Sequence, residues 1–162
     1  MPHARLELDR FLPYRLSVLS NAVSAAIARE YVARFDLGVT EWRVMAVLGL
    51  SPGLSASEVA ERTAMDKVAV SRAVARLVAA GRVERALHGL DRRRSVLRLS
   101  PAGFAIYDQV VPIARGHERQ LLAQLSAAER EALDRILDKL AHAELALLQK
   151  QTPRQEIGRA HV

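Results

Sequence analysis

Apolar residues recur at helical spacing along most of this chain, and caps and breakers divide the pattern into segments. Leu16, Leu19, Val23, Ile27 and Tyr31 form one stripe, with Pro13 in its first turn, and predict a helix from Leu12 to about Arg34. Phe35 to Val39 reads as a connection containing Gly38, with Thr40 as cap of a second helix, EWRVMAVLGL, which stops before Ser51-Pro52-Gly53. Ser55-x-x-Glu58 is a capping box, and Leu54 is placed to staple against Val59. Asp66 and Gly81 mark the N- and C-caps of the next helix, whose apolar face is Val70, Val74, Leu77 and Val78.

The period then changes. VERA and SVLRLS read as two short strands around the turn HGLDRRR, and Ser100-Pro101 opens a helix running to about Leu125, with a bend expected at Pro112. Ser126-x-x-Glu129 is a second capping box, leading a stripe of Leu133, Ile136, Leu137 and Leu140 that continues to Leu148. The link Thr63-Ala64-Met65 is too short for an antiparallel helix pair, which is the requirement of a helix-turn-helix. A helix pair followed by a basic hairpin is a winged helix-turn-helix. The expected fold is therefore mainly α, with a two- or three-stranded β wing.

Composition narrows the classes. The chain has 162 residues, half of them hydrophobic and 4% aromatic, which fits one helical domain with an aliphatic core. It has no cysteine, so disulfides, thiol redox sensing and thiolate metal sites are excluded. It shows neither an apolar run long enough to span a bilayer nor a secretory h-region, and the cytoplasm is the expected compartment. The formal net charge is +6. Between Ser55 and Arg98 ten basic residues stand against five acidic ones, and such a cluster on a winged helix favours a polyanion, double-stranded DNA.

The second helix of a helix-turn-helix enters the major groove N-terminus first. Lys67, Val68, Ser71 and Arg72 are then the candidates for bases or flanking phosphates, and Arg76, a turn later, for the phosphate backbone. Arg85 and Arg98 lie on strands near the backbone, and Arg92 and Arg94 face phosphate or solvent. Ser55 and Ser57 begin the preceding helix, where amides and hydroxyls bind phosphate; for Ser55 a purely capping role is an equal alternative.

The run GRVERALHGLDRRRSVLRLSPAG resembles the wing of the MarR family of bacterial transcription regulators, with an Asp-x-Arg pair at Asp91 and Arg93 and a Leu-Ser-x-x-Gly sequence from Leu99 to Gly103. The resemblance extends over roughly Leu12 to Gln149. It implies that Arg93 enters the minor groove with Asp91 as its positioning partner; Asp91 also has a local role as a turn former. It implies a homodimer built from the first helix and the last two, and a palindromic operator. Residues 1–9 would be a flexible extension, 10–36 and 101–150 the dimerisation helices, 37–100 the DNA-binding domain and 151–162 a disordered tail. Val68 departs from the family pattern, which often places a polar residue there, and an apolar side chain can read only a thymine methyl.

Regulators of this family often respond to small anionic aromatics. Tyr14, Arg15, Trp42, Arg43 and Met45 combine rings with guanidinium groups suited to a carboxylate, although Trp42 has an equal reading as core and the arginines as partners of acids. LPYRLSVLSN with EWRVMAVL also resembles a subgroup linked to aromatic-acid catabolism, whose effectors can be coenzyme A thioesters. The five histidines show no three- or four-residue spacing, so no metal site or cofactor is expected within one chain, while a zinc site shared across a dimer stays open because some relatives bind zinc. No nucleophile-base order, glycine-rich phosphate loop or carboxylate pair appears, and an enzyme is not expected. Two alternatives to an effector-controlled repressor remain: an architectural DNA-binding protein without effector, and a protein–protein adaptor, which the basic cluster disfavours.

Overall fold

The computed structural model describes residues 3–87 and 95–151 and divides the chain into two compact units, Met1–His117 and Glu118–Val162. In the first unit a 3-10 turn, Leu8–Arg10, precedes α1 (Leu12–Phe35), α2 (Val39–Leu50), α3 (Ala56–Thr63) and α4 (Lys67–Ala79). Strands β1 (Val83–Leu87) and β2 (Ser95–Leu99) follow, and then α5 (Pro101–Leu122), whose last turn passes into the second unit. There α6 (Ala127–Gln151) completes the chain. The part of the extension predicted to be flexible thus includes Leu8 and Asp9 in a 3-10 turn.

The termini follow local chemistry. Asp66 accepts the amide of Ala69 at 2.9 Å and starts α4. Gly81, at φ +70°, ends it: Gly81 N–H donates to Val78 and Arg82 N–H to Leu77, the paired bonds of a Schellman motif. Ser126 and Glu129 cap α6 reciprocally, at 2.7 and 3.2 Å. The start of α2 differs from expectation. Gly38 is the N-cap in place of Thr40, and its amide donates to the Glu41 carboxylate at 2.9 Å. A glycine offers no side-chain acceptor, so Glu41 supplies the whole of this polar cap. Pro112 sits inside an unbroken α5, where its missing N–H leaves one backbone carbonyl without its helical partner.

The core of the first unit joins α2 (Val44, Met45, Leu48), α3 (Val59, Ala60), α4 (Val70, Ala73, Val74, Leu77) and the strands (Val83, Leu97, Leu99), closed by Tyr31, Leu37 and Val110. The strands pair antiparallel, with Val83 opposite Leu99 and Leu87 opposite Ser95. Leu54 and Gly53 add a bridge to Leu97 through two backbone bonds of 2.8 Å, the rudiment of a third strand. Ser100 joins wing and helix: its hydroxyl donates to the Gly81 carbonyl and accepts the Gly103 amide at 3.0 Å.

Much apolar surface is left over. Every residue from Phe11 to Ala22 on α1 is exposed, and from Ala127 to Lys150 only Ala132 is even half-buried. Among the described residues no helix is long and apolar enough to cross a membrane.

Candidate nucleic-acid interface

The helix-turn-helix is built from α3 and α4. Ala64 closes α3 in the left-handed region at φ 51°, and Met65 N–H donates back to the Ala60 carbonyl, so the chain reverses within three residues. The inward face of α4 is Val70, Ala73, Val74 and Leu77. Val68, Ser71 and Arg72 project from the opposite side of its first turns, Lys67 flanks them at the N-terminal end, and all four are exposed. At about 100° per residue, Val68, Arg72 and Ala75 share the centre of that outward face. With Lys67 and Arg72 on it and no acid, it is cationic. The four side chains predicted to meet bases are therefore brought together.

The other cations divide into two groups. Arg85 is exposed on β1. Arg98 pairs with Glu84 across the strands at 2.9 Å, and Arg62 donates to the Ser51 hydroxyl at 2.9 Å. Arg82 donates to the carbonyls of Phe35 and, at 3.4 Å, Asp36. Arg76, predicted to hold phosphate, has an internal partner: its Nε lies 2.6 Å from Oε1 of Glu41. The sequence reading missed Glu41 altogether, because its partner is 35 positions away and no local pattern links them.

Ser55 caps α3, with its hydroxyl proton left over for a further acceptor. Its hydroxyl accepts the Glu58 amide at 3.2 Å, while its own amide donates to the Glu58 carboxylate at 2.8 Å. Ser57 is exposed. Asp91, Arg92, Arg93 and Arg94 lie outside the described residues.

The five residues predicted to bind an effector are spread over α1 and α2. Met45 is fully buried in the core. Trp42 packs against that core, its ring 6.0 Å from Tyr31 and 5.8 Å from Tyr107. Arg43 donates to the Ser24 hydroxyl at 2.8 Å, reaching α1. Burial raises the Tyr31 pKa above its usual value of 10.0, opposed by the nearby Arg43 charge. Tyr14 and Arg15 are exposed on α1. They precede Tyr31 on this helix by 17 and 16 residues, or roughly 25 Å at about 1.5 Å per residue. Arg15 borders instead a groove of about 390 Å³ with Leu12, Leu16 and Leu19. Among the described residues no group of three or more His, Asp or Glu side chains is arranged to hold a metal ion.

Comparisons with known proteins agree with this architecture. A family model described as MarR family matches residues 35–94. An HTH-type transcriptional repressor of Mycobacterium tuberculosis is 30% identical over 133 residues, covering 80% of this chain and 91% of the relative. The crystal structure of a MarR/EmrR family transcriptional regulator from Acinetobacter sp. ADP1 superposes with a TM-score of 0.78 at 29% identity, covering 85% of this chain and 97% of that one. The PcaV regulator of Streptomyces coelicolor, at 23% identity, shares the fold with a TM-score of 0.72 over 88% of this chain and 99% of its own. With the helix-turn-helix, the paired wing strands and these relatives in agreement, the chain belongs to the MarR family of DNA-binding transcription regulators.

Proposed function

We propose that the protein is a homodimeric repressor that binds a palindromic operator and is released by a small anionic aromatic molecule. The observation that carries the DNA-reading part is the outward face of α4, where Lys67, Val68, Ser71 and Arg72 stand exposed around a cationic centre. A C2 dimer presents two such faces, and spacing them by about 34 Å fits successive major grooves. Arg72 is assigned to a base edge, Ser57 and Arg85 to phosphates, Arg93 to the minor groove with Asp91 positioning it, and Arg92 and Arg94 to phosphates. The proposed dimer is formed by residues 10–36 and 101–150, around the DNA-binding region 37–100.

The test is footprinting on the gene's own upstream region together with affinity measurements on the protected site and on random duplex. A protected palindrome is expected. Arg72→Ala and Arg93→Ala should each weaken the operator complex by about 1–3 kcal/mol while sparing random DNA. Arg92→Ala should weaken both alike. Equal losses on both duplexes for all three variants would refute the division of roles. Val68, 56% exposed, favours a second reading as an architectural protein with little sequence preference, because it adds no hydrogen bond to base readout. Uniform protection without a palindrome would establish that reading instead.

For the effector, Arg43 reaches α1 at Ser24, nine residues or about 14 Å along the helix from Arg15, and in a dimer Arg15 of the second subunit is a further candidate to complete a Trp42–Arg43 site. A carboxylate, or a thioester of the same aromatic acid, would meet a guanidinium across the dimer and favour one spacing of the recognition helices. Coupling of about 1–3 kcal/mol lowers operator affinity roughly 5- to 150-fold. Arg15→Ala should abolish release by benzoates, hydroxycinnamates and their thioesters and leave ligand-free operator affinity nearly unchanged. Undiminished release from that variant, with Trp42 fluorescence as the parallel readout, would remove the site.

A further inference from the structure

Glu41 is an acid in the first turn of α2, and only 8% of its surface is exposed. Both of its carboxylate oxygens are used. Oε2 accepts the Gly38 amide at 2.9 Å, and Oε1 meets Nε of Arg76 at 2.6 Å. One side chain therefore caps the start of α2 and holds the last turn of α4.

The direction of that hold matters. Arg76 lies one turn beyond Arg72, about 40° around the helix from it, and so stands at the edge of the outward face. Its side chain is 65% exposed, so water does not explain its orientation; the buried carboxylate does. Nearby, Arg82 donates to the carbonyls of Phe35 and Asp36 at the end of α1. Both guanidiniums border one cavity of about 620 Å³, also lined by Asp36, Leu37, Glu41 and Leu77. The C-terminal end of the recognition helix is thus tied by charge to the α1–α2 connection, while its N-terminal end carries the bases' readers.

We infer that Glu41 is a positioning residue for operator discrimination: it withholds Arg76 from DNA phosphate and sets the pitch at which α4 enters the groove. A cation without a fixed partner on the flank of α4 would be drawn to any phosphate in reach, adding affinity that carries no sequence information. Neutralising that cation inside the protein removes this indiscriminate contribution. Because the Gly38 amide fixes the Glu41 carboxylate, the Arg76 anchor on it also restrains rotation of α4 about its own axis, on which the register of Val68 and Arg72 with the bases depends. The inference rests on α4 as the DNA-reading helix.

The test compares wild type, Glu41→Gln, Arg76→Gln and the double variant by fluorescence anisotropy, on the footprinted operator and on a random duplex over a range of salt. Glutamine keeps an acceptor for the Gly38 amide and removes the charge, so the α2 cap survives. Glu41→Gln is expected to bind random DNA more tightly and to steepen the slope of log affinity against log salt by about 0.9 for each subunit in contact. Its operator-to-random ratio should fall roughly tenfold, the scale of a charge-assisted hydrogen bond. Arg76→Gln, an exposed change that spares the core, should leave the random-DNA slope at the wild-type value while lowering the same ratio. The double variant should return the slope to wild type.

A shallower slope for Arg76→Gln would show Arg76 already on phosphate and overturn the inference, as would unchanged slope and ratio in Glu41→Gln. Wild-type protein that binds neither duplex at low salt would overturn the DNA-reading role of α4 itself, a result distinct from any change of slope.

Discussion

Replacing Leu137 or Leu140 with Glu is expected to turn the proposed dimer into a monomer and to reduce affinity for the proposed operator at least a hundredfold. These side chains, with Leu133 and Ile136, form one face of α6 at steps of three and four, and Leu137 and Leu140 stay 47% and 40% exposed. The reciprocal Ser126–Glu129 cap favours the helix whether or not that face is covered. This stripe and, separately, the exposed N-terminal half of α1 provide apolar surface of the sort obligate interfaces bury. A glutamate placed there would be tolerated in an isolated chain but desolvated in the dimer, at several kcal/mol for each ion, and the two-fold axis brings in two of them. Dissociation then separates the half-site contacts, and linked binding is typically stronger than single-site binding by about 10²–10⁴. Light scattering checks the mass and circular dichroism the helix content. Helical protein that remains dimeric with either glutamate would place the interface elsewhere.

Gly103→Ala is expected to destabilise the winged unit by about 3 kcal/mol, the upper part of the usual range for overpacking. A Cβ on Gly103 would lie 2.1 Å from the carbonyl oxygen of Arg82, which already accepts the Ser100 amide at 3.0 Å. That oxygen belongs to rigid backbone between α4 and β1, so relief requires α5 to withdraw or the strand to shift. Either movement strains the Ser100 hydroxyl, which joins the Gly81 carbonyl to the Gly103 amide. This arrangement is the physical content of the Leu-Ser-x-x-Gly sequence: serine caps α5, and glycine lets the helix approach the root of the wing. Denaturant unfolding measures the loss; a midpoint within error of wild type would show that the contact relaxes freely. Because β1 starts at the displaced carbonyl, operator affinity should fall along with stability.

Ser100 and Gly103 are legible in the sequence through the family resemblance, whereas the helix caps are legible from their short range. Asp66 with Ala69, Ser55 with Glu58, and Ser126 with Glu129 act over three positions, so spacing alone reveals them. The face of α4 was equally plain, since Val70, Val74 and Leu77 determine what points inward, and Val68, Ser71 and Arg72 must take the other side. Where no such rule operates, the reading went astray. Thr40 looked like a cap because hydroxyls favour that role, yet the chain uses Gly38 with Glu41.

The order of helices and strands, the N-caps of α3, α4 and α6 and the cationic outward face of α4 were determined by the sequence alone, because each follows from patterns within a few turns of chain. The tertiary structure alone decided how the arginines are employed. Arg72 is left exposed, while Arg76 is drawn to Glu41 and Arg82 to carbonyls 46 and 47 residues away. A guanidinium carries the same charge wherever it stands in a sequence. Whether it meets DNA or the protein's own acceptors depends on which oxygens the folded backbone brings within about 3 Å of it.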